Sequence, residues 1–389
     1  MDQNYAAIQS VEQLLSRLVQ IPSVNPDGDP GTDQVGEKAV AKWVGGYLEW
    51  CGASVCYDEV LPERPNVIGQ FGESRPNALR LLFAPHTDTV SVAGMTIEPF
   101  GGEIRDGRVW GRGASDTKGT MAAMLWAFRE LKDQICELSD LQVSFVGLMS
   151  EETGQDGAKD FADRYGADYD FSVVGEPTNL DIVYKSKGCC WLRLSAQGKA
   201  VHGSTPERGD NAVRKLIKTV VPLVEHLEAV LPEYADPDMG APTVNWGQMH
   251  GGHRTNIVPD HAEAFLDVRE TPALAEAGGV QKLVADYLQQ MGVDDQIETK
   301  CVGYAGPLST DPDHVVIHAL ESLGSQLTTA PWFCDAGWLA KGGIPSIACG
   351  PGDIAQAHTK DEFIEVDALR AGADRYRDLI LALSEAQPH

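Results

Sequence analysis

Four short apolar runs each stop against a cluster of acids, histidine or glycine, and this arrangement constrains the fold more than any other feature of the chain. Leu79–Ala84 (LRLLFA) runs into Pro85-His86-Thr87-Asp88, and Leu141–Met149 (LQVSFVGLM) into Ser150-Glu151-Glu152-Thr153-Gly154. Phe171–Val174 ends in Gly175-Glu176-Pro177-Thr178. Ile344–Cys349 ends in Gly350-Pro351-Gly352 before the chain reaches His358. Short unbroken apolar runs bounded by turn residues read as buried strands. Polar groups beyond the C-terminal ends of such strands are where an open α/β sheet builds its site.

A fifth stretch, Trp110 to Met121 (WGRGASDTKGTM), sets a lone acid, Asp116, among Gly111, Gly113, Ala114 and Ser115. Small residues let backbone and ligand approach closely, and Thr120 to Lys132 follows with the spacing of an amphipathic helix. No phosphate loop is present, because Lys118 is followed by Gly119 rather than Ser or Thr. The order DTKGT also differs from the DKTGT of phosphoryl-aspartate pumps. Alone, the stretch reads as a Gly-rich turn with a capping aspartate. Taken singly, His86 reads as a strand-end core histidine and Glu176 as a capping acid. Together, His86, Asp116, Glu152, Glu176 and His358 are nitrogen and oxygen donors suited to zinc or a similar divalent ion. Five are too many for one tetrahedral ion and suit two ions sharing a carboxylate.

The chain has 389 residues, enough for roughly two domains, and its 43% apolar content supplies their cores. A net charge of −26 argues against nonspecific binding to nucleic acid or anionic membrane. The first residues show no cationic-then-apolar leader, and no apolar run approaches a membrane span. The eight cysteines are scattered without a CxxC pair, so a reduced, cytoplasmic protein is expected.

Ser10 begins a capping box for a helix that Pro22 stops, and a second helical period runs from Val35 to Trp50. Strands are expected at Ser54 to Tyr57 and Asn66 to Gly69. The mixture up to Tyr184 predicts an α/β domain with a central sheet flanked by helices. Beyond it come a strand over Asp181 to Gln197, a helix over Asn211 to Val230, and strands near Thr243 to Met249 and His261 to Arg269. A second helix from Leu274 to Met291 and a strand from Gln296 to Cys301 complete the order βαββαβ, a two-layer ferredoxin-like domain. It interrupts the first domain, since His358 returns to the ligand-bearing sheet. The expected boundaries are 1–184 and 303–389 for the catalytic domain and 185–302 for the insert.

The segments HTDTV, GRGASDTKG, SEETG and GEPT, with the late His358, resemble the M20 family of di-zinc aminoacylases, deacetylases and carboxypeptidases. Within it, PERGDNA after His202 is most similar to the acetylornithine deacetylase and succinyl-diaminopimelate desuccinylase branch. The resemblance implies two divalent ions, zinc with cobalt or manganese as alternatives. Asp116 would bridge them, His86 and Glu176 would complete one site, and Glu152 and His358 the other. It further implies a homodimer formed through the insert, which acts as lid and dimerisation domain.

Asp88 is placed to accept the free ring N–H of His86. Glu151 is expected to diverge from Glu152 on an extended segment and to act as general base. Read without the resemblance, it is a solvated loop glutamate. The resemblance gives His202 the tetrahedral oxyanion, often in the neighbouring subunit's site, and gives Asn256 and Arg269 the substrate's carbonyl and carboxylate. A surface histidine and a salt-bridging arginine are the plainer readings of His202 and Arg269. In Pro331–Gly337, Phe333 and Cys334 make a bulkier, less polar wall than relatives carry. The implied activity is hydrolysis of an N-acyl amino acid to a carboxylic acid and a free amino acid. A dipeptidase or carboxypeptidase acting on short peptides is the alternative, and a catalytically inactive metal-binding protein is a third.

Overall fold

The computed structural model describes residues 4–73, 75 and 77–385. The chain divides into two units. One comprises residues up to Tyr184, Thr310–Thr328 and everything from Cys334 onward; the other is Lys185–Ser309 with Thr329–Phe333.

The first unit is built on a mixed sheet. Its neighbours run Ser54–Leu61, Arg64–Gln70, Leu141–Gly147, Leu79–Pro85, Phe171–Gly175 and Ser346–Ala348. The first pairings are antiparallel, but the four strands from Leu141–Gly147 to Ser346–Ala348 are mutually parallel, and Ile182–Ser186 then adds antiparallel to the last of them. Phe83 lies opposite Phe145, and Ala84 opposite Val174. These four parallel strands are the four apolar runs of the sequence. Because they are parallel and adjacent, their C-terminal ends emerge along one edge of the sheet. Helices Val11–Val19, Lys38–Trp50, Lys118–Glu130 and Val366–Glu385 contribute to one continuous core with it. Ser10 caps the first helix by accepting the Gln13 amide, as its capping box predicts.

The second unit is a four-stranded antiparallel sheet in the order Thr243–Gly251, His261–Glu270, Gly188–Gln197, Ile297–Ala305. Leu216, Val220, Leu223 and Leu227 of helix Ala212–Val230, with Val284 and Leu288 of Gly279–Met291, share a core with Leu192, Leu194, Leu266 and Val268 of the strands. With its helices the order is βαββαβ, the ferredoxin-like arrangement.

Three expectations need adjustment. The Asp181 to Gln197 run is two strands, Ile182–Ser186 and Gly188–Gln197, divided at Lys187. The Leu274 to Met291 helix is two helices, Pro272–Glu276 and Gly279–Met291, because Gly278 and Gly279 take φ of +106° and +73°. The chain re-enters the first unit at Thr310 rather than 303, directly after Leu308–Ser309, which pairs with Lys185 and Ser186.

Candidate metal centre

His86 directly follows the Leu79–Pro85 strand and Glu176 directly follows Phe171–Gly175. Glu151 and Glu152 stand in the turn after Leu141–Gly147, and His358 in the loop after Ser346–Ala348. Asp116 arrives from a loop ahead of helix Lys118–Glu130. The Glu362 carboxylate shapes this loop by accepting N–H bonds from Gly113, Ser115 and Asp116 at 3.0, 2.9 and 3.0 Å, and one from Arg112 at 2.8 Å. Gly113 is obligatory: φ is +82°, and a Cβ there would stand 2.9 Å from a Thr89 methyl. The Asp116–Thr117 peptide is cis.

Asp116 lies between the two histidines and offers a different oxygen to each. Oδ1 is 3.0 Å from His86 Nε2, and Oδ2 is 3.4 Å from His358 Nε2. His358 Nε2 is also 3.1 Å from Glu152 Oε2. One ligand atom from each of His86, Asp116 and Glu152 falls within 4.8 Å of the others. Glu152 Oε1 and Glu176 Oε1 are buried without a hydrogen-bond partner among the described residues. Buried carboxylate oxygens with no donor need a cation or a proton. The residues therefore fit divalent ions on two counts: orphaned oxygens, and a donor set of imidazole and carboxylate alone.

Electrostatics agree. Burial opposes charge on His86, yet the Asp116 and Asp88 carboxylates push its pKa well above the usual range. Hydrogen bonds to Asp116 and Glu152 push His358 up to about 10. Burial, then the nearby Asp116 charge, pushes Glu152 up to about 7. Burial also raises Glu176 and Glu151 well above ordinary carboxylates, with further acids adding to the effect. An excess of acids in a desolvated space attracts cations.

Asp88 departs from expectation. His86 Nδ1 donates to the main-chain carbonyl of Asp88 at 3.0 Å, while the Asp88 carboxylate stands off at 3.5 Å. That carboxylate is occupied elsewhere: it accepts the Glu151 and Glu152 amides at 3.0 and 3.1 Å and the Asn25 side chain at 2.8 Å. The Glu151-Glu152 segment is also a turn rather than extended, entered through Ser150 at φ +65°. Glu151 Oε1 accepts from Gln155 Nε2 at 3.2 Å.

One further acid belongs here that the sequence reading did not assign. Asp335 is 1% exposed, and neither carboxylate oxygen has a partner among the described residues. Burial, against the pull of His86 and helped by Asp88, pushes its pKa up to about 7, and its charge acts in turn on Glu151 and Glu176. The signal was a single acid inside the Pro331–Gly337 wall. Phe333, expected in the same wall, lies in the second unit and packs under Arg269, with the guanidinium 5.5 Å from the ring.

His202 and Asn256 also lie in the second unit, where main-chain pairing brings their segments together. Gly203 N–H donates to Asn256 O at 2.8 Å, and His202 bridges Ile257. His202 is exposed. Its Nδ1 accepts the Ser204 amide at 3.2 Å, so a neutral ring carries its proton on Nε2. Arg269 has its fork on Asp267, Nε to Oδ1 at 2.9 Å and Nη2 to Oδ2 at 3.0 Å. Three further histidines make local contacts within their own units. His314 caps a helix, His318 pairs with Glu321, and His226 stacks on Tyr287.

A family model described as Peptidase family M20/M25/M40 matches residues 82–382. An acetylornithine deacetylase of Photorhabdus laumondii is 29% identical over 91% of this chain and 92% of its own. A tripeptidase from Staphylococcus aureus superposes with a TM-score of 0.76 at 21% identity, over 98% of this chain and all of that one. A dinuclear metal-binding peptidase from Bacillus subtilis superposes at 0.67 and 17%, covering 95% and 96%.

Proposed function

We infer the function from one premise: this chain belongs to peptidase family M20/M25/M40 and is a metal-binding hydrolase of amide bonds. Its substrate, in our reading, is an N-acyl amino acid, which it cleaves to a carboxylic acid and a free amino acid. The observation that carries the chemistry is Asp116, with one oxygen toward each histidine and Glu151 standing beside the cluster unpaired to either. The similarity to acetylornithine deacetylases over nearly the full length favours the deacylase reading.

His86, Asp116 and Glu176 would hold one divalent ion, and Asp116, Glu152 and His358 the other, zinc by donor type with cobalt or manganese as alternatives. When bound, such ions supply Lewis-acid activation of water and of the scissile carbonyl. Glu151, its proton affinity raised by burial, takes a proton from the attacking water at its carboxylate and returns it to the departing nitrogen. His202, protonated at Nε2, donates to the oxyanion, in our reading across a homodimer formed through the second unit. Asn256 holds the substrate carbonyl. Arg269 reads its carboxylate, and Asp267 keeps the guanidinium oriented until substrate competes for it.

A dipeptidase or carboxypeptidase is the second reading, favoured by the fold shared with the tripeptidase. One screen separates them. Metal-loaded protein is incubated with N-acetyl, N-formyl and N-succinyl amino acids, with dipeptides, and with carboxamide-capped versions of the best substrate, and released amine is measured. Release of the simple acid with loss of activity on capping supports the reading. Preference for dipeptides sinks the deacylase assignment, and indifference to the cap sinks the role of Arg269. No turnover by the metal-loaded protein would leave a metal-binding protein without catalysis.

A further inference from the structure

Beyond the end of the Leu141–Gly147 strand, four consecutive main-chain N–H groups are each taken by a side-chain oxygen. Met149 donates to Asn66 Oδ1 at 3.0 Å and Ser150 to Glu37 Oε1 at 3.2 Å. Glu151 and Glu152 donate to the two oxygens of Asp88. Buried amides past a strand end have no neighbouring strand to bond, so side chains must supply the acceptors. Between them they hold Ser150 at φ +65°, a conformation a serine keeps only when its surroundings impose it.

Two of those acceptors are carboxylates buried completely, Glu37 and Asp88. The cation in this network is Arg64. It is 8% exposed and grips Glu37 with both tines of its fork, Nε to Oε2 at 2.8 Å and Nη2 to Oε1 at 2.7 Å. Its third nitrogen reaches Asp27 at 3.3 Å, and Asp27 accepts from Thr153 at 3.4 Å. Asn25 closes the ring, donating to Thr153 at 3.0 Å and to Asp88 at 2.8 Å. Arg64 thus sits behind both ends of the turn, its hydrogen bonds among the described residues going to Glu37 and Asp27 rather than to Glu151 or Glu152.

We propose that Arg64 is a positioning residue for the metal centre: it holds Glu37 under the Ser150 amide and so keeps the left-handed kink that presents Glu151 and Glu152. The inference rests on the metal assignment given above, not on the substrate. Without Arg64, Glu37 is a buried carboxylate with no counter-charge, and it protonates or leaves for solvent. Ser150 then loses its acceptor and relaxes toward negative φ, which rotates the two residues after it. Glu152 serves one ion site only, so the damage is selective. The ligands His86 and Glu176 are anchored on other strands.

The test titrates metal-free protein with cobalt(II), reading visible absorption and equilibrium dialysis. Arg64→Met is expected to weaken one of the two equivalents by about 10–100-fold, the range for lost supporting contacts, and the other by less than about threefold. Arg64→Lys keeps the charge without the fork and should fall between. Two unchanged equivalents overturn the proposal. So does equal weakening of both with a lowered Tm, which marks a merely structural role. Wild-type protein that binds no cobalt removes the metal assignment and this proposal together, before any variant is made. Where Arg64→Met gives no cooperative thermal transition, Arg64→Lys and Asp27→Asn are judged by the same selective or unselective loss.

Discussion

At the scale of single residues, Glu151 and Glu152 show how position separates two neighbouring acids. Glu152 has one oxygen on His358 and the other buried without a donor, while among the described residues the Glu151 carboxylate accepts only from Gln155. The first arrangement suits a ligand and the second a group that exchanges protons. Glu151→Gln keeps the shape and the Gln155 neighbour but removes the proton acceptor. It should leave two cobalt equivalents in place and cut kcat by at least about 10²–10⁴, the usual share of general acid–base catalysis. A variant keeping a tenth of wild-type kcat would mean that another group moves the proton. The five candidate ligands were legible because each follows a local pattern, a strand end or a run of small residues. Asp335 was not, because nothing local distinguishes a partnerless buried aspartate from a paired one. Asn25, Glu37 and Arg64 were invisible for a different reason. Their contacts to the Ser150 turn and to Asp88 reach across 63 to 113 positions of sequence or pass through one another.

At the scale of elements, boundaries follow chemistry that side-chain periodicity does not carry. Apolar spacing located the helices, but paired glycines cut one of them, and Lys187 lies between two strands that hydrophobicity alone would join. A cap settles another case. His314 precedes helix Val315–Ser322, accepts the Val316 amide on Nδ1 at 3.3 Å and stacks 4.2 Å from Phe171, at the start of the strand that leads to Glu176. An accepting Nδ1 requires a neutral ring, and burial accordingly lowers the His314 pKa below its ordinary value. The unfolded chain then binds the proton more readily, at about 6.5. The stability His314 contributes is complete above that pH and is lost as pH falls through the depressed folded value. His314→Asn retains an N-cap acceptor without a titrating ring. Its Tm relative to wild type should therefore rise as the buffer moves from about pH 7.5 to about pH 5. Parallel curves would show that the ring does not titrate differently in the two states.

At the scale of the whole molecule, the acids and imidazoles of the candidate centre belong to one unit, while His202, Asn256 and Arg269 belong to the other. If His202 serves a neighbouring subunit, two inactive variants can repair each other. Mixing His202→Ala with Glu151→Gln under conditions of verified subunit exchange should restore up to about a quarter of wild-type activity, since a hybrid dimer has one site with both groups intact. No recovery would place His202 in its own chain's site or outside catalysis. The resemblance in sequence extended to this level, because motif order reflects how the chain visits the sheet edge. The late return at Thr310 did not show, since Leu308–Ser309 is too short to announce itself. The way the Asp116 loop is fastened has a further consequence, for synthesis. Asp116 leaves the ribosome 246 residues ahead of the carboxylate that accepts its amide, and Glu152 emerges 206 residues ahead of the histidine beside it. From Glu176 until His358 is made, the nascent chain carries the acids with His86 but without the second imidazole or the loop clasp. A stop codon or a proteolytic cut shortly before His358 spares every strand of the parallel group and still leaves that cluster unfinished.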